Sequence, residues 1–559
     1  MRLVSRGLDP RFTPQQADLI CMSIPPNRTD LLASAVAHID GGAYAEAEAI
    51  LRAVLAENSR HPVAIYLLGM IAIARGAFVP AATLFRQALA IAPDQPRVAL
   101  QLAACLLAQH RPEAAEAELH RALSLPAVDA PTRATLEQRL GMALKLRGQY
   151  RQALTLMRAA AAHLPLERDA VMEQANVLRH LGCHEEAMAL YDAILANDPQ
   201  DMAVHALLSE LKGEAEPDFT ASYDAAMLRA PQAADLPLAK AYLLLKAERP
   251  HEAEAAFRLC LGIATDHPDA LAGLGRALEM QGDKEGARTA HARSVSVAPE
   301  NGPALQAYAR FLLRHQDIKD AEGLAETAWK LAPASQGALS LLDLCWRAQG
   351  DTRADWLNDY ERDVAVFDLE PPDGYRDMES FQRDLAAHLN GLHAPARQYL
   401  TQTLRRGTQT HDELFHNGHA PVERLLPRLN DAIRAYVAGW RAGDAHPFRA
   451  RLGGGFRYAG SWSSRLADCG FHVNHIHHKG WISSCYYVAV PDVAATEGWI
   501  KFGEPPEELG ALDGAFAPRR LIQPKPGRLV LFPSYMWHGT VPFHAPEARL
   551  TMAFDAVPG

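Results

Sequence analysis

Residues 62–93 read PVAIYLLGMIAIARGAFVPAATLFRQALAIAP, and residues 268–299 read PDALAGLGRALEMQGDKEGARTAHARSVSVAP. Counted from the first proline, both carry small residues at positions 8, 20 and 27 and a proline at position 32. These are Gly69, Ala81, Ala88 and Pro93 in one, and Gly275, Ala287, Ser294 and Pro299 in the other. Small residues at such spacings let two helices approach closely, and the closing proline stops the second helix. The proline recurs along the chain at Pro93, Pro126, Pro165, Pro199, Pro231, Pro299 and Pro333. The steps are 33, 39, 34, 32, 68 and 34 residues, and 68 is two units of 34. From about Leu31 to Gly350 the chain is rich in Ala and Leu, with apolar residues spaced three and four apart. Short breaks such as Gly41-Gly42, Arg75-Gly76 and Gln281-Gly282-Asp283 separate the helices.

A helix–turn–helix unit of about 34 residues is the tetratricopeptide length. Residues 29–352 resemble about nine such repeats. The resemblance implies a solenoid whose units bury core between neighbours and expose a concave face, where a protein or peptide partner is expected. Residues 1–28 are expected to be a disordered extension, with Met22 as an alternative start. No apolar core followed by a small-residue cleavage site stands in Met1 to Pro26, so no signal peptide is expected. No apolar run approaches the roughly 20 residues that span a bilayer, so no membrane association is expected. The formal net charge of −10 argues against a nucleic-acid partner, whose phosphates need a basic face. The seven cysteines are scattered and none forms a C-x-x-C pair, which fits reduced thiols and a cytoplasmic location.

After about Asp351 the texture changes. Glu370-Pro371-Pro372-Asp373-Gly374 breaks the chain, and helices are predicted near Met378–Leu392 and Pro421–Trp440. Strands are predicted at Phe471–His477, Trp481–Val490, Gly498–Phe502, Arg520–Gln523, Arg528–Phe532, Gly539–Val541 and Arg549–Ala556. Short strands separated by turn signals suggest a β-sandwich or jelly roll. The expected fold class is α+β multidomain: an all-α solenoid, then a β-sandwich or jelly roll with supporting helices. The expected divisions are a helical linker with support helices at 353–447 and the jelly-roll core at 448–559.

Two histidines two residues apart on one strand face can share a metal ion, and His475 and His477 have that spacing. His538, after a buried-looking strand and before Gly539, is the best third ligand. Arg549 and Thr551 share a face of the last strand. Arginine's planar fork suits a carboxylate.

The order H-x-H, G-W-I-S-S-C-Y-Y-V, G-W-I-K-F, P-G-R-L-V-L-F-P-S-x-x-W-H-G-T and R-L-T-x-A-F resembles the 2-oxoglutarate/Fe(II) oxygenases related to prolyl hydroxylases. It does so over about residues 450–557. The resemblance implies a double-stranded β-helix (jelly roll) fold and an iron-dependent dioxygenase using 2-oxoglutarate and O2, a chemistry that ascorbate can support. It implies metal ligands His475 and His538, with Arg549 anchoring the co-substrate and Thr551, Tyr486 and Tyr487 as helpers. The family's usual carboxylate ligand is replaced by His477, giving a trio of imidazoles. Asp468, Asp492, Glu497 and Glu504 are the carboxylates that could stand in. Two other readings stay open: an adaptor with a degenerate oxygenase domain, and a cupin-type three-histidine enzyme that does not use 2-oxoglutarate.

Overall fold

The computed structural model describes residues 26–559 apart from 110, 127, 164–166, 214–217, 394–402, 411–412, 416–417, 441–444, 452–454 and 511–513, with side chains described from Leu31 onward. The expected extension at 1–28 lies almost wholly outside the described residues. Two compact units divide the chain: Met1–Ile194 with His416–His419, and Leu195–Phe415 with Ala420–Gly559.

The first unit is a run of helix pairs: Pro26–Asp40 with Tyr44–Glu57, Pro62–Ala74 with Phe78–Ile91, Pro96–Ala108 with Pro112–Leu123, Ala130–Leu146 with Tyr150–Ala161, and Arg168–His180 with His184–Asn197. The second unit opens the same way. Its pairs are Met202–Lys212 with Ala221–Arg229, Asp235–Lys246 with Pro250–Ile263, Pro268–Met280 with Lys284–Val297, and Gly302–Arg314 with Ile318–Leu331, followed by the helix Gln336–Gln349.

The small residue at position 8 has a defined task. A Cβ on Gly69 would stand 2.5 Å from the Phe85 ring, one on Gly141 2.8 Å from Met157, and one on Gly275 2.7 Å from His291. In each pair the partner comes sixteen residues later, on the facing helix. Pro93, Pro199, Pro231, Pro299 and Pro333 stand two residues past helix ends, and Pro126 three past Leu123. Pro165 lies outside the described residues. A second period is written in the backbone. Positive φ falls at Gly42 and Gly76, at Gly148 and Gly182, and at Glu248, Gly282, Gln316 and Gly350, each group in steps of 34.

Among the described residues, the rest of the second unit carries nine strands: β1 (Ala365–Asp368), β2 (Leu404–Gln409), β3 (Phe456–His472), β4 (Ile482–Ala489), β5 (Ile500–Phe502), β6 (Arg520–Ile522), β7 (Arg528–Pro533), β8 (His538–Thr540) and β9 (Arg549–Pro558). They form a six-stranded sheet, β1-β7-β4-β9-β3-β2, and a three-stranded sheet, β6-β5-β8. Every pairing is antiparallel, the two-sheet arrangement that a jelly roll calls for. Helices Met378–Leu392 and Ala420–Ala438 back the large sheet. One apolar core runs from the repeat helices into the sheet, joining Leu339 and Leu342 to Phe381, Leu385, Leu429, Ile433, Tyr486 and Phe554.

The polar content of β3 hides it in the sequence, since its buried face is largely serine. Ser461 and Ser463 are buried, and Ser461 Oγ accepts from the backbone N–H groups of Leu414 and Phe415 (2.9 and 3.0 Å). The segment predicted as a strand at Phe471–His477 departs from the ladder. β3 ends at His472, and beyond it only an isolated bridge joins His475 to His538. The reason is a change of partners: Val473 N–H donates to the Thr403 carbonyl, His475 exchanges bonds with His538 and His477 N–H donates to the Ser534 carbonyl, so no single neighbour continues the ladder.

Candidate metal centre

That bridge sets the geometry of the site. His475 N–H donates to the His538 carbonyl (2.9 Å) and His538 N–H donates back (3.1 Å), so the two residues sit opposite each other. His477 N–H donates to the Ser534 carbonyl (2.9 Å), which returns its ring to the same side. Ring centroids lie 4.3 Å apart for His475 and His538, 5.1 Å for His475 and His477, and 5.0 Å for His477 and His538. One nitrogen from each of the three lies within 4.8 Å of the others. Gly539 is required here, because a Cβ at that position would run into the Asn474 side chain.

Each of the three rings has an acceptor at Nδ1. His475 Nδ1 faces the Val473 carbonyl at 2.7 Å, His538 Nδ1 the Met536 carbonyl at 3.0 Å, and His477 Nδ1 the Asp555 carboxylate at 2.6 Å. Carbonyls and carboxylates only accept, so each ring carries a proton on Nδ1 and turns Nε2 toward the other two rings. The Nε2 atoms of His475 and His477 then face one another at 3.1 Å. Such a contact needs a cation shared between the two nitrogens, either a proton or a metal ion. Nitrogens bound to one metal at about 2.1 Å, at right angles, stand about 3 Å apart. Burial, then the neighbouring His477, pushes His475 down to about 3. Burial, then His475, drives His538 well below the ordinary histidine range. Both rings are therefore neutral near pH 7, the form that binds metal.

The trio lines a cavity of about 510 Å³ shared with Arg549, Thr551, Thr540, Ser464, Asp555 and His472. Arg549 is only 2 % exposed. It contacts Thr540 Oγ1 (Nη1, 3.3 Å) and the face of Tyr487 (5.1 Å to the centroid), while its Nε has no hydrogen-bond partner among the described residues. Among the described residues no Asp or Glu pairs with it, and a buried guanidinium without an anion is costly. A carboxylate-bearing ligand fits this arrangement, as a metal ion fits the three Nε2 atoms.

Thr551 lines the cavity beside Arg549. Tyr486 does not join them: it points to the opposite face of β4, where its hydroxyl donates to the Gln382 carboxamide. Strand alternation separates the two tyrosines. His472 also lines the cavity, with its ring 6.1 Å from His475. The carboxylates considered from sequence lie elsewhere. Among the described residues none of Asp468, Asp492, Glu497 and Glu504 groups with the three histidines. Glu504 accepts from Asn474 and pairs with Lys501. Asp468 belongs to a separate group with Cys469 and His544. The carboxylate at the centre is Asp555, which sequence reasoning missed. Extending the β9 alternation from Arg549 and Thr551 through Ala553 reaches it, and all four line the cavity.

Residues 460–555 match the family model described as "Putative 2OG-Fe(II) oxygenase". Residues 32–96, 139–201 and 238–303 match one tetratricopeptide repeat model, and residues 72–140 match another. The chain thus carries tetratricopeptide repeats and a C-terminal domain of the 2-oxoglutarate/Fe(II) oxygenase type. Among solved structures it is similar to a thermophilic tetratricopeptide protein of Thermus thermophilus (22 % identity, 31 % of this chain and 93 % of that one, TM-score 0.27). It is also similar to the C-terminal part of a repeat protein of Cytophaga hutchinsonii (14 %, 50 % and 99 %, TM-score 0.32) and to yeast Tom70 (13 %, 59 % and 97 %, TM-score 0.26). The comparison with curated proteins gives no match. No helix among the described residues is long and apolar enough to cross a membrane.

Proposed function

We propose that the C-terminal domain is a 2-oxoglutarate- and Fe(II)-dependent dioxygenase that hydroxylates a protein or peptide substrate recruited by the repeats. The observation that carries this reading is a single cavity holding three convergent imidazoles and a buried arginine with no acidic partner among the described residues. His475, His477 and His538 would hold the iron. Arg549 would grip the far carboxylate of 2-oxoglutarate, with Thr551 and Tyr487 beside it. When bound, iron and 2-oxoglutarate supply oxygen activation coupled to succinate formation. The protein's residues orient and enclose: the Nδ1 contacts fix each ring, and Tyr487 and Thr540 hold the guanidinium plane. Water is kept from the arginine by burial, which strengthens its pull on a carboxylate.

The three-imidazole ligand set favours a second reading, a cupin-type enzyme that does not use 2-oxoglutarate. The buried arginine in the same cavity, with no acidic partner among the described residues, counts against it. Succinate release from the full chain with Fe(II), O2 and 2-oxoglutarate decides between them, since uncoupled turnover needs no substrate. Succinate that disappears in His538→Ala supports the proposal. Metal binding with no 2-oxoglutarate binding would transfer the site to the cupin reading, and a chain that binds neither would be an adaptor.

A further inference from the structure

Resting on the three-histidine reading, one feature of the centre goes beyond it. Two ligand rings are held at Nδ1 by neutral main-chain carbonyls, and the third, His477, by the carboxylate of Asp555. That carboxylate is itself fixed. Ser483 Oγ donates to it at 2.7 Å and lies 2.8 Å from Ser534 Oγ. The Asp555 side chain is 13 % exposed. Gly480 leaves the space open, because a Cβ there would collide with Ser534 and stand 3.2 Å from the Asp555 carboxyl carbon. A dication held by two imidazoles and a carboxylate keeps one net charge, while three imidazoles leave it with two. Asp555 brings the missing negative charge one residue further out.

We propose that Asp555 is a positioning residue. It locks His477 as the Nδ1–H tautomer, aims Nε2 at the metal, and supplies from β9 the anionic charge that the ligand set lacks. Outer partners of this kind change metal affinity about ten- to a hundred-fold when removed. Asparagine at 555 keeps the shape but can turn its amide N–H toward Nδ1, which would move the proton to Nε2 and block coordination.

The test measures Co(II) binding to the full chain by calorimetry, for wild type, Asp555→Asn and His475→Ala. Asp555→Asn is expected to weaken cobalt about ten- to a hundred-fold and His475→Ala to abolish binding. Nitrogen-15 NMR of metal-free wild type labelled at histidine should show His477 protonated at Nδ1, a readout that depends on no variant folding. Unchanged affinity in Asp555→Asn, or an Nε2–H His477 in wild type, would overturn the proposal. A loss as complete as that of His475→Ala would overturn it too, by making Asp555 a ligand. Wild type that binds no cobalt, or His475→Ala that binds normally, would bring down the metal-centre reading and this proposal with it.

Discussion

Arg549 tests the reading of the pocket through one side chain. Replacing it with lysine keeps a charge but loses the planar fork, so the fold should survive while 2-oxoglutarate weakens. Losing a charge-assisted bidentate contact costs on the order of 1.5–3 kcal/mol, about ten- to a hundred-fold in affinity. Titration calorimetry of Arg549→Lys should give that loss with metal affinity nearly unchanged. A wild-type value would remove the best argument for 2-oxoglutarate. The histidine trio and this arginine were legible because each sits in a short run whose spacing has a mechanical meaning. Asp555 was not, although the same alternation reaches it. It follows the hydrophobic pair Ala553-Phe554 and looks like the polar end of a strand. Tyr486 and Tyr487 show the limit of adjacency, since neighbours on a strand face opposite ways and only Tyr487 meets the arginine.

Single helix pairs carry two further expectations. Gly69 packs under Phe85 in a tight helix crossing, so Gly69→Ala forces the ring aside. Such overpacking costs about 1–3 kcal/mol, to be seen as a lower unfolding midpoint in urea. At the equivalent place in a later pair stands His291, 1 % exposed, with no hydrogen bond from the described residues at either ring nitrogen. Burial pushes it down to about 4, partly countered by Glu279. The folded state therefore refuses a proton that the unfolded state accepts. Stability from this residue is constant above about 6.5 and falls as pH drops from there to about 4. At pH 5 the loss is on the order of 2 kcal/mol. His291→Phe, which copies Phe85, should flatten the pH dependence of the urea midpoint between pH 7 and 5. An unchanged slope would place the titration elsewhere. Repeat helices were legible because proline, glycine and apolar spacing agree. β1 and β2 are short strands without a strong apolar alternation, and β3 buries serines. Glu248 and Gln316 take the left-handed turn that glycine takes elsewhere, so the 34-residue period is more regular in the backbone than in the residues.

Across the second unit, composition changes near Asp351 while packing does not. Arg347, on the helix Gln336–Gln349, is 7 % exposed and donates to the carbonyls of Gly503, Ala515 (2.7 Å) and Ala517 (3.1 Å). Trp537 Nε1 donates to the Ser340 carbonyl (3.2 Å) and the Tyr535 hydroxyl to the Leu357 carbonyl (2.9 Å). Arg347→Met leaves three carbonyls and Asp343 without their cation. Breaking a buried charged contact costs about 3–5 kcal/mol, so thermal unfolding of the full chain should begin at markedly lower temperature. A Tm equal to wild type would show the contact to be dispensable. These ties join residues more than 150 positions apart, and no local pattern announces them. They also fix where the gene can be cut. The turn that presents His538 hangs from a helix that composition assigns to the repeats. A recombinant joining this oxygenase to another array at Asp351 would leave Trp537 without Ser340. A chimera that keeps the metal turn intact must take its crossover before Ser335, inheriting the last helix together with the enzyme.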